Sequence, residues 1–221
     1  MNMIMEPHNA APSQDLRPLR IGDTAPDFQA RTTMGETRLS GFRGRWLLFF
    51  SHPADFTPVC TSEFVGLAKA AERFAAMDCA LLGLSVDSLY SHLAWVAAIK
   101  QRFDVTIPFP IVEDPSMAIG RAYGMIDNNS IDSSGVRISY FIDPDGVVRA
   151  ATSYPMNVGR SVDEMVRIVS ALQRTAKDDV LTPEGWHPGD DLLLPPAQEQ
   201  EAALDTAAHE AWFYRTQADR K

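Results

Sequence analysis

The chain has 221 residues, 45% of them hydrophobic, a length suited to one large domain or to a domain with an appendage. Its 29 acidic and 20 basic residues leave a net charge of −9 with the Lys and Arg scattered, which argues against a nucleic-acid partner. No apolar run approaches the roughly 18 residues of a membrane span, the start "MNMIMEPHNAAPSQDLRP" lacks a signal peptide's charged flank and apolar block, and two cysteines are too few for a disulfide framework, so a soluble, cytoplasmic protein is expected whose cysteines act singly.

Residues 1–18 lack periodicity and read as a flexible leader or an exchanged arm. "DFQARTTMGETRLSGF" alternates around an "MGE" turn, which predicts a short hairpin, and "RWLLFFS" (Arg45 to Ser51) reads as a fully buried strand. After the loop that carries Cys60, Phe64, Leu67, Ala68, Ala71, Phe74 and Ala75 recur at helical spacing, with Glu63, Lys69, Glu72 and Arg73 on the other face. "ALLGLSV" (Ala80 to Val86) predicts a second buried strand, Ser88 to Phe103 a second helix, Phe109 to Asp114 a third strand and "PSMAIGRAYGM" a shorter helix. Two strand-like runs then flank "DPDG", a turn with Pro second and Gly fourth, and "SVDE" at Ser161 supplies a capping box for a helix running to about Thr175. The Pro- and Gly-rich stretch beyond belongs to an appendage, so the chain divides into 1–18, 19–176 and 177–221. The order of elements predicts an α/β fold with mixed parallel and antiparallel pairing.

The loop "SHPADFTPVCTSEF" explains where Cys60 sits. Thr57 is an acceptable N-cap, Pro58 suits the first helical position because its missing N–H costs nothing there, and Cys60 falls in the first turn. Free N–H groups and the helix dipole favour an anion at that place, and the thiolate is the reactive form of a cysteine. The exit from a buried strand is also where α/β sheets place their sites. Cys79, at the head of an apolar run, reads as a small buried hydrophobe; its rival role, resolving an oxidised Cys60, requires the two sulfurs to come within disulfide geometry. His8, His92, His187 and His209 show no ligand spacing.

"PADFTPVC" fits the Pro-x-x-x-Thr-x-x-Cys motif of the peroxiredoxins, and "SHPADFTPVCTSEF" resembles the 1-Cys subgroup, in which a histidine precedes the proline. The resemblance runs from about Leu19 into the tail, through "LSVDSLYSHLAW", "FPIVEDPS", "VRISYFIDPDG", "NVGRSVDEMVRIVSALQ" and "TPEGWHPGDD". It implies a thioredoxin-like domain over 19–176, its central mixed sheet flanked by helices, with a C-terminal extension associated with a dimer, and a cysteine peroxidase that needs no metal, haem or flavin. By position it implies that Cys60 is the peroxidatic nucleophile, Thr57 a hydrogen-bond partner of sulfur and peroxide, Pro53 a shield over the reacting atoms and Arg137 the cation holding thiolate and peroxide. Glu63 and Arg160 match supporting polar positions. His52 matches the subgroup's loop histidine, and its role stays open between a hydrogen-bond partner of the cysteine or its oxidised forms and a structural loop residue.

The resemblance further implies reduction of hydrogen peroxide and organic hydroperoxides through a sulfenic acid, with regeneration by an external thiol such as glutathione or a thioredoxin-like protein, because no cysteine follows Cys79. A homodimer or larger homo-oligomer is implied too. "LSGFRGRW" lacks the Gly-x-Ser-x-Gly stretch through which some animal members act on phospholipids, so no lipase activity is expected. Two alternatives are a general disulfide oxidoreductase, weakened by the lack of CxxC, and an oxidant-sensing holdase.

Overall fold

The computed structural model describes residues 17–126, 136–200 and 212–219. The leader expected over 1–18 falls almost entirely outside these residues.

The expected hairpin forms from β1 (Gln29–Thr32) and β2 (Gly35–Arg38), paired antiparallel, with Gly35 at φ +99° in the turn that only a residue without Cβ adopts cheaply. A single 3-10 turn leads to β3 (Trp46–Ser51), then α1 (Pro58–Ala76), β4 (Cys79–Ser85), α2 (Leu89–Phe103), β5 (Ile111–Glu113) and α3 (Ala118–Ala122). The "DPDG" hairpin forms as expected between β6 (Arg137–Ile142) and β7 (Val148–Tyr154), and α4 (Val162–Lys177) follows. Both β5 and α3 are shorter than their sequence patterns predict.

The sheet runs β2-β1-β5-β4-β3-β6-β7, with β3, β4 and β5 parallel and the remaining pairings antiparallel, which is the mixed sheet the element order predicts. Because a strand's side chains alternate, β3 feeds two cores at once. Trp46, Leu48 and Phe50 pack on one face with Phe64, Leu67 and Phe74 of α1, Trp95 and Ile99 of α2 and Met165 and Val169 of α4. Leu47 and Phe49 pack on the other with Leu82, Leu84, Val112, Tyr123 and Tyr140. That is why "WLLFFS" shows no polar alternation.

Both N-caps stand where the sequence puts them, Thr57 for α1 and Ser161 for α4, and each differs in how its side chains bond. Thr57 has the extended backbone of an N-cap, but its hydroxyl donates to Ala54 O (2.9 Å) instead of accepting from the helix. At α4 the Ser161 hydroxyl does accept from Glu164 N (3.2 Å), yet the Glu164 carboxylate turns to Arg167 (2.6 and 2.8 Å), so only half of the box closes.

The extension packs on its own chain. Val180, Trp186 and Leu192 form a small third core against Ala171 of α4, and β8 (Leu192–Leu193) pairs with β9 (Thr216–Gln217). Arg174 of α4 holds Asp219 at 2.9 Å. Of the tail segment "EAWFYR", residues 210–211 lie outside the described residues, while Trp212, Phe213 and Tyr214 stand exposed. Among the described residues no helix is long and apolar enough to cross a membrane.

Phe49 is fully buried, its ring 4.9 Å from Tyr123 and 5.5 Å from Phe28. Phe49→Ala is therefore expected to cost about 3–5 kcal/mol in urea unfolding, whereas Tyr90→Ala, at a residue that is 75% exposed, changes stability by no more than about 0.5 kcal/mol.

Candidate active site

The pairing of β3 with β6 builds the site. Phe50 lies opposite Ser139, so the carboxyl end of β3 adjoins the first residues of β6. The Ser51 hydroxyl fixes that junction by donating to Val136 O (2.7 Å) and accepting from Ile138 N (3.1 Å), one residue to either side of Arg137. Downstream of β3, Phe56 takes a left-handed conformation at φ 57°, an arrangement that costs roughly 1–2 kcal/mol in a non-glycine residue and swings the chain into α1. Cys60 then lies in the first helical turn, fully buried, with Pro53 buried in the loop before it.

Arg137 reaches the thiol across 77 positions of sequence: its Nη1 donates to Cys60 Sγ at 3.3 Å and to Glu63 Oε2 at 2.8 Å. Its Nε and Nη2 both donate to Met156 O, at 3.0 and 2.6 Å. Arg160 grips Glu63 from the other side, with Nε on Oε1 (2.9 Å), Nη2 on Oε2 (2.8 Å) and its own backbone N on Oε1 (2.8 Å). Its Nη1 donates to Ile138 O and Ser139 Oγ, and its guanidinium lies 5.4 Å from the centroid of the Phe50 ring. Glu63 thus accepts four hydrogen bonds, the full capacity of a carboxylate.

All three charged side chains are no more than 3% exposed. Burial pushes the Glu63 carboxyl up, and the Arg160 hydrogen bonds and charge, with the Arg137 charge, outweigh it and hold the group below its ordinary value. Two guanidiniums against one carboxylate leave one uncompensated positive charge at a buried place. The Arg137 guanidinium is placed to meet negative charge at the Cys60 sulfur.

Thr57 lies one helical turn before Cys60; with its proton donated to Ala54 O, its oxygen is left as an acceptor. His52 is buried behind the loop, stacked on Trp95 at 5.1 Å and edge-on to Phe64, the residue one turn beyond Cys60, at 4.8 Å. Its Nε2 meets Asp55 Oδ1 at 2.9 Å, and Asp55 Oδ2 meets His92 Nδ1 at 2.8 Å. Asp55 and His92 escaped the sequence reading: Asp55 sits inside the quoted motif as an ordinary loop acid, and His92 is 37 residues away with no spacing rule to join them. The fold also adds the Ser51 hydroxyl and the Met156 carbonyl to the Arg137 setting.

Cys79 begins β4 opposite Trp46, the first residue of β3, while Cys60 lies beyond the last. A six-residue strand spans about 17–20 Å, so the two sulfurs stand at opposite ends of the sheet, far outside disulfide reach. Burial pushes the Cys79 thiol up to about 12, which makes it an inert core group.

Residues 21–151 match the AhpC/TSA family model, and residues 171–207 match the model for the C-terminal domain of 1-Cys peroxiredoxin. A peroxiredoxin of Methanosarcina mazei is 41% identical over 197 residues, covering 86% of this chain and 90% of that protein. A peroxiredoxin 2 of Caldanaerobacter subterraneus subsp. tengcongensis is 46% identical over 177 residues, covering 80% of each. Among solved structures, a yeast mitochondrial 1-Cys peroxiredoxin, described for thiol resolving via glutathione/thioredoxin systems, superposes with TM-score 0.79 at 34% identity, over 90% of this chain and 99% of that one.

Replacing Glu63 by Gln leaves two buried guanidiniums short of their counter-charge and is expected to cost about 3–5 kcal/mol in urea unfolding at pH 7. Since the folded-state carboxyl titrates below its ordinary 4.5, its stabilisation is complete above that pH and fades as the pH falls through the folded value. Wild-type stability therefore drops on acidification below about pH 4.5, and the Gln variant shows a shallower drop over the same range.

Proposed function

The chain belongs to the AhpC/TSA family of peroxiredoxins and is a thiol-dependent peroxidase, and from that premise we propose that Cys60 is its peroxidatic nucleophile, oxidised to a sulfenic acid and returned by an external thiol. One observation carries the assignment: the buried Arg137 guanidinium donates to Cys60 Sγ at 3.3 Å while Glu63 holds it from behind.

The thiolate sulfur attacks the terminal oxygen of a hydroperoxide. The S–O bond forms as the O–O bond breaks, and the departing alkoxide or hydroxide takes up the proton that the thiol released, leaving as alcohol or water and Cys60 as sulfenic acid. Negative charge moves from sulfur onto the leaving oxygen during this displacement. Arg137 spends four of its five N–H donors on Met156, Glu63 and Cys60, and the fifth, on Nη2, has no partner among the described residues. That donor is the natural ligand for the charged oxygen, worth most in a dry, preorganised site. Thr57, as an acceptor, takes the peroxide O–H and sets its approach. Pro53 shields the reacting atoms, and Glu63 and Arg160 keep Arg137 in place.

Hydrogen peroxide and organic hydroperoxides are the substrates in this reading. An external thiolate, from glutathione or a thioredoxin-like protein, then forms an S–S bond with Cys60 as the S–O bond breaks and water leaves, and a second thiol attacks the external sulfur of that mixed disulfide, breaking the S–S bond and releasing Cys60 as thiolate with the reductant as disulfide. The placement of Cys79 at the far end of the sheet supports the external route over an internal disulfide. Exposed Trp212, Phe213 and Tyr214 on the extension support a homodimer interface there.

Peroxide consumption with dithiothreitol tests the assignment. Cys60→Ser is expected to abolish it and Cys79→Ser to retain most of it; equal rates for wild type and Cys60→Ser would sink the reading.

A further inference from the structure

Midway along the loop from β3 to α1, Asp55 has a side chain that is only 1% exposed. Its Oδ1 meets His52 Nε2 at 2.9 Å and its Oδ2 meets His92 Nδ1 at 2.8 Å. Burial pushes the Asp55 carboxyl up, but the hydrogen bonds from the two histidines prevail and hold it well below the usual carboxylate range, so it only accepts and both rings donate to it. His92 also donates from Nε2 to Val112 O of β5 at 3.2 Å, and the backbone N–H of His52 donates to Leu84 O of β4 at 3.0 Å. One loop carboxylate is thereby tied to α2 and, through His92, to β5.

The backbone is held as well, at a single peptide unit. The Ala54–Asp55 peptide turns its N–H to Asp87 Oδ2 (2.9 Å) and its carbonyl to the Thr57 hydroxyl (2.9 Å). Asp87 is itself fixed, its Oδ2 accepting from Ser85 Oγ at 2.8 Å while its N–H donates back to that oxygen at 3.1 Å. The direction of the Thr57 O–H, and with it the direction of the lone pairs left to accept, therefore follows the tilt of one peptide plane. Asp87 sets that plane at its N–H, and the Asp55 side chain sets it at the adjoining Cα. Phe56, between Asp55 and Thr57, is 59% exposed and left-handed at φ 57°, so the anchoring falls to its neighbours rather than to packing at the turn itself.

We propose that Asp55, backed by Asp87 and His92, is a positioning residue for the peroxide: it fixes the Ala54–Asp55 peptide, whose carbonyl takes the Thr57 hydroxyl proton and so aims the free lone pairs of that hydroxyl at the peroxide O–H. The route runs to the peroxide and not to the sulfur, whose charged partner is Arg137. This role rests on Cys60 being the nucleophile and Thr57 the acceptor of the peroxide O–H. Two consequences separate it from stabilisation of the fold alone. Loss of Asp55 slows the reaction with peroxide but not the reaction of Cys60 with an electrophile that has no O–H to orient, and the loss is felt only while Thr57 keeps its hydroxyl.

Stopped-flow oxidation by hydrogen peroxide and alkylation by iodoacetamide, both on the full chain and with the modified cysteine located by peptide mass mapping, read the two reactions separately. Asp55→Asn is expected to slow oxidation of Cys60 about ten- to a hundredfold and to leave its alkylation as fast as in the wild type or faster. Asp87→Ala, at a half-buried residue, is expected to act in the same direction to a smaller degree, and it keeps the test decisive if Asp55→Asn fails to fold. In a Thr57→Val background either change slows oxidation by no more than about twofold further. Oxidation and alkylation slowed in equal measure, unchanged oxidation in the folded variants, or losses that multiply with that of Thr57→Val overturn this inference alone. A wild type whose Cys60 stays unoxidised overturns the reading of Cys60 and this inference with it.

Discussion

A carboxylate buried between two guanidiniums organises this protein. Glu63 belongs to α1, Arg137 opens β6, and Arg160 stands just ahead of the α4 cap, so one side chain ties three elements at the place where β3 gives way to the helix. Taking those charges from water is costly, and the arrangement holds because each Glu63 lone pair is met and the fork geometry is bidentate on one side. In the proposed mechanism the remaining positive charge is what makes the nearby sulfur reactive. Stability and chemistry therefore use the same ions, and a change at Glu63 is felt in both.

The apolar frame gives those ions their strength. Cys60 is itself a member of the core that joins β3 to α1, α2 and α4, so the thiol faces a low-dielectric wall on one side and Arg137 on the other. In such surroundings a fixed donor acts more strongly than it would in water and needs no rearrangement when charge moves. A second buried network, His52–Asp55–His92, stands behind the same turn and braces the loop against α2 and β5. The first network touches the sulfur through Arg137; the second holds the loop that leads to it.

Much of this was readable in the sequence because it rests on local rules. The apolar run of β3, the "DPDG" turn, and the Pro58 start that puts Cys60 in a first helical turn are all set by neighbouring residues. Arg137 was reachable only through the family motif, since composition alone makes it a strand-end charge; what seats it is the β3–β6 register and the Ser51 hydroxyl, neither of which is encoded nearby. Thr57 and Glu164 show the limits of local rules, because each has the right residue for its cap and spends its side chain elsewhere. Asp55 and His92 could not be joined from sequence at all, for their meeting depends on how α2 crosses the end of the sheet. Cys79 went the other way: a choice between core residue and resolving thiol closed once the strand register set it at the opposite end from Cys60.

The claim on which the rest depends is that Glu63 acts on Cys60 through Arg137. Single-turnover oxidation of Cys60 by hydrogen peroxide, followed in stopped flow for the wild type, Glu63→Gln, Arg137→Lys and the double variant, tests it most directly. The account predicts losses that do not add: once Arg137 is Lys, the Glu63 change slows oxidation by no more than about twofold further, an interaction energy within the 0.5–3 kcal/mol found for groups in one network. Losses that multiply independently would contradict it, and would mean that Glu63 and Arg137 serve the sulfur by separate routes.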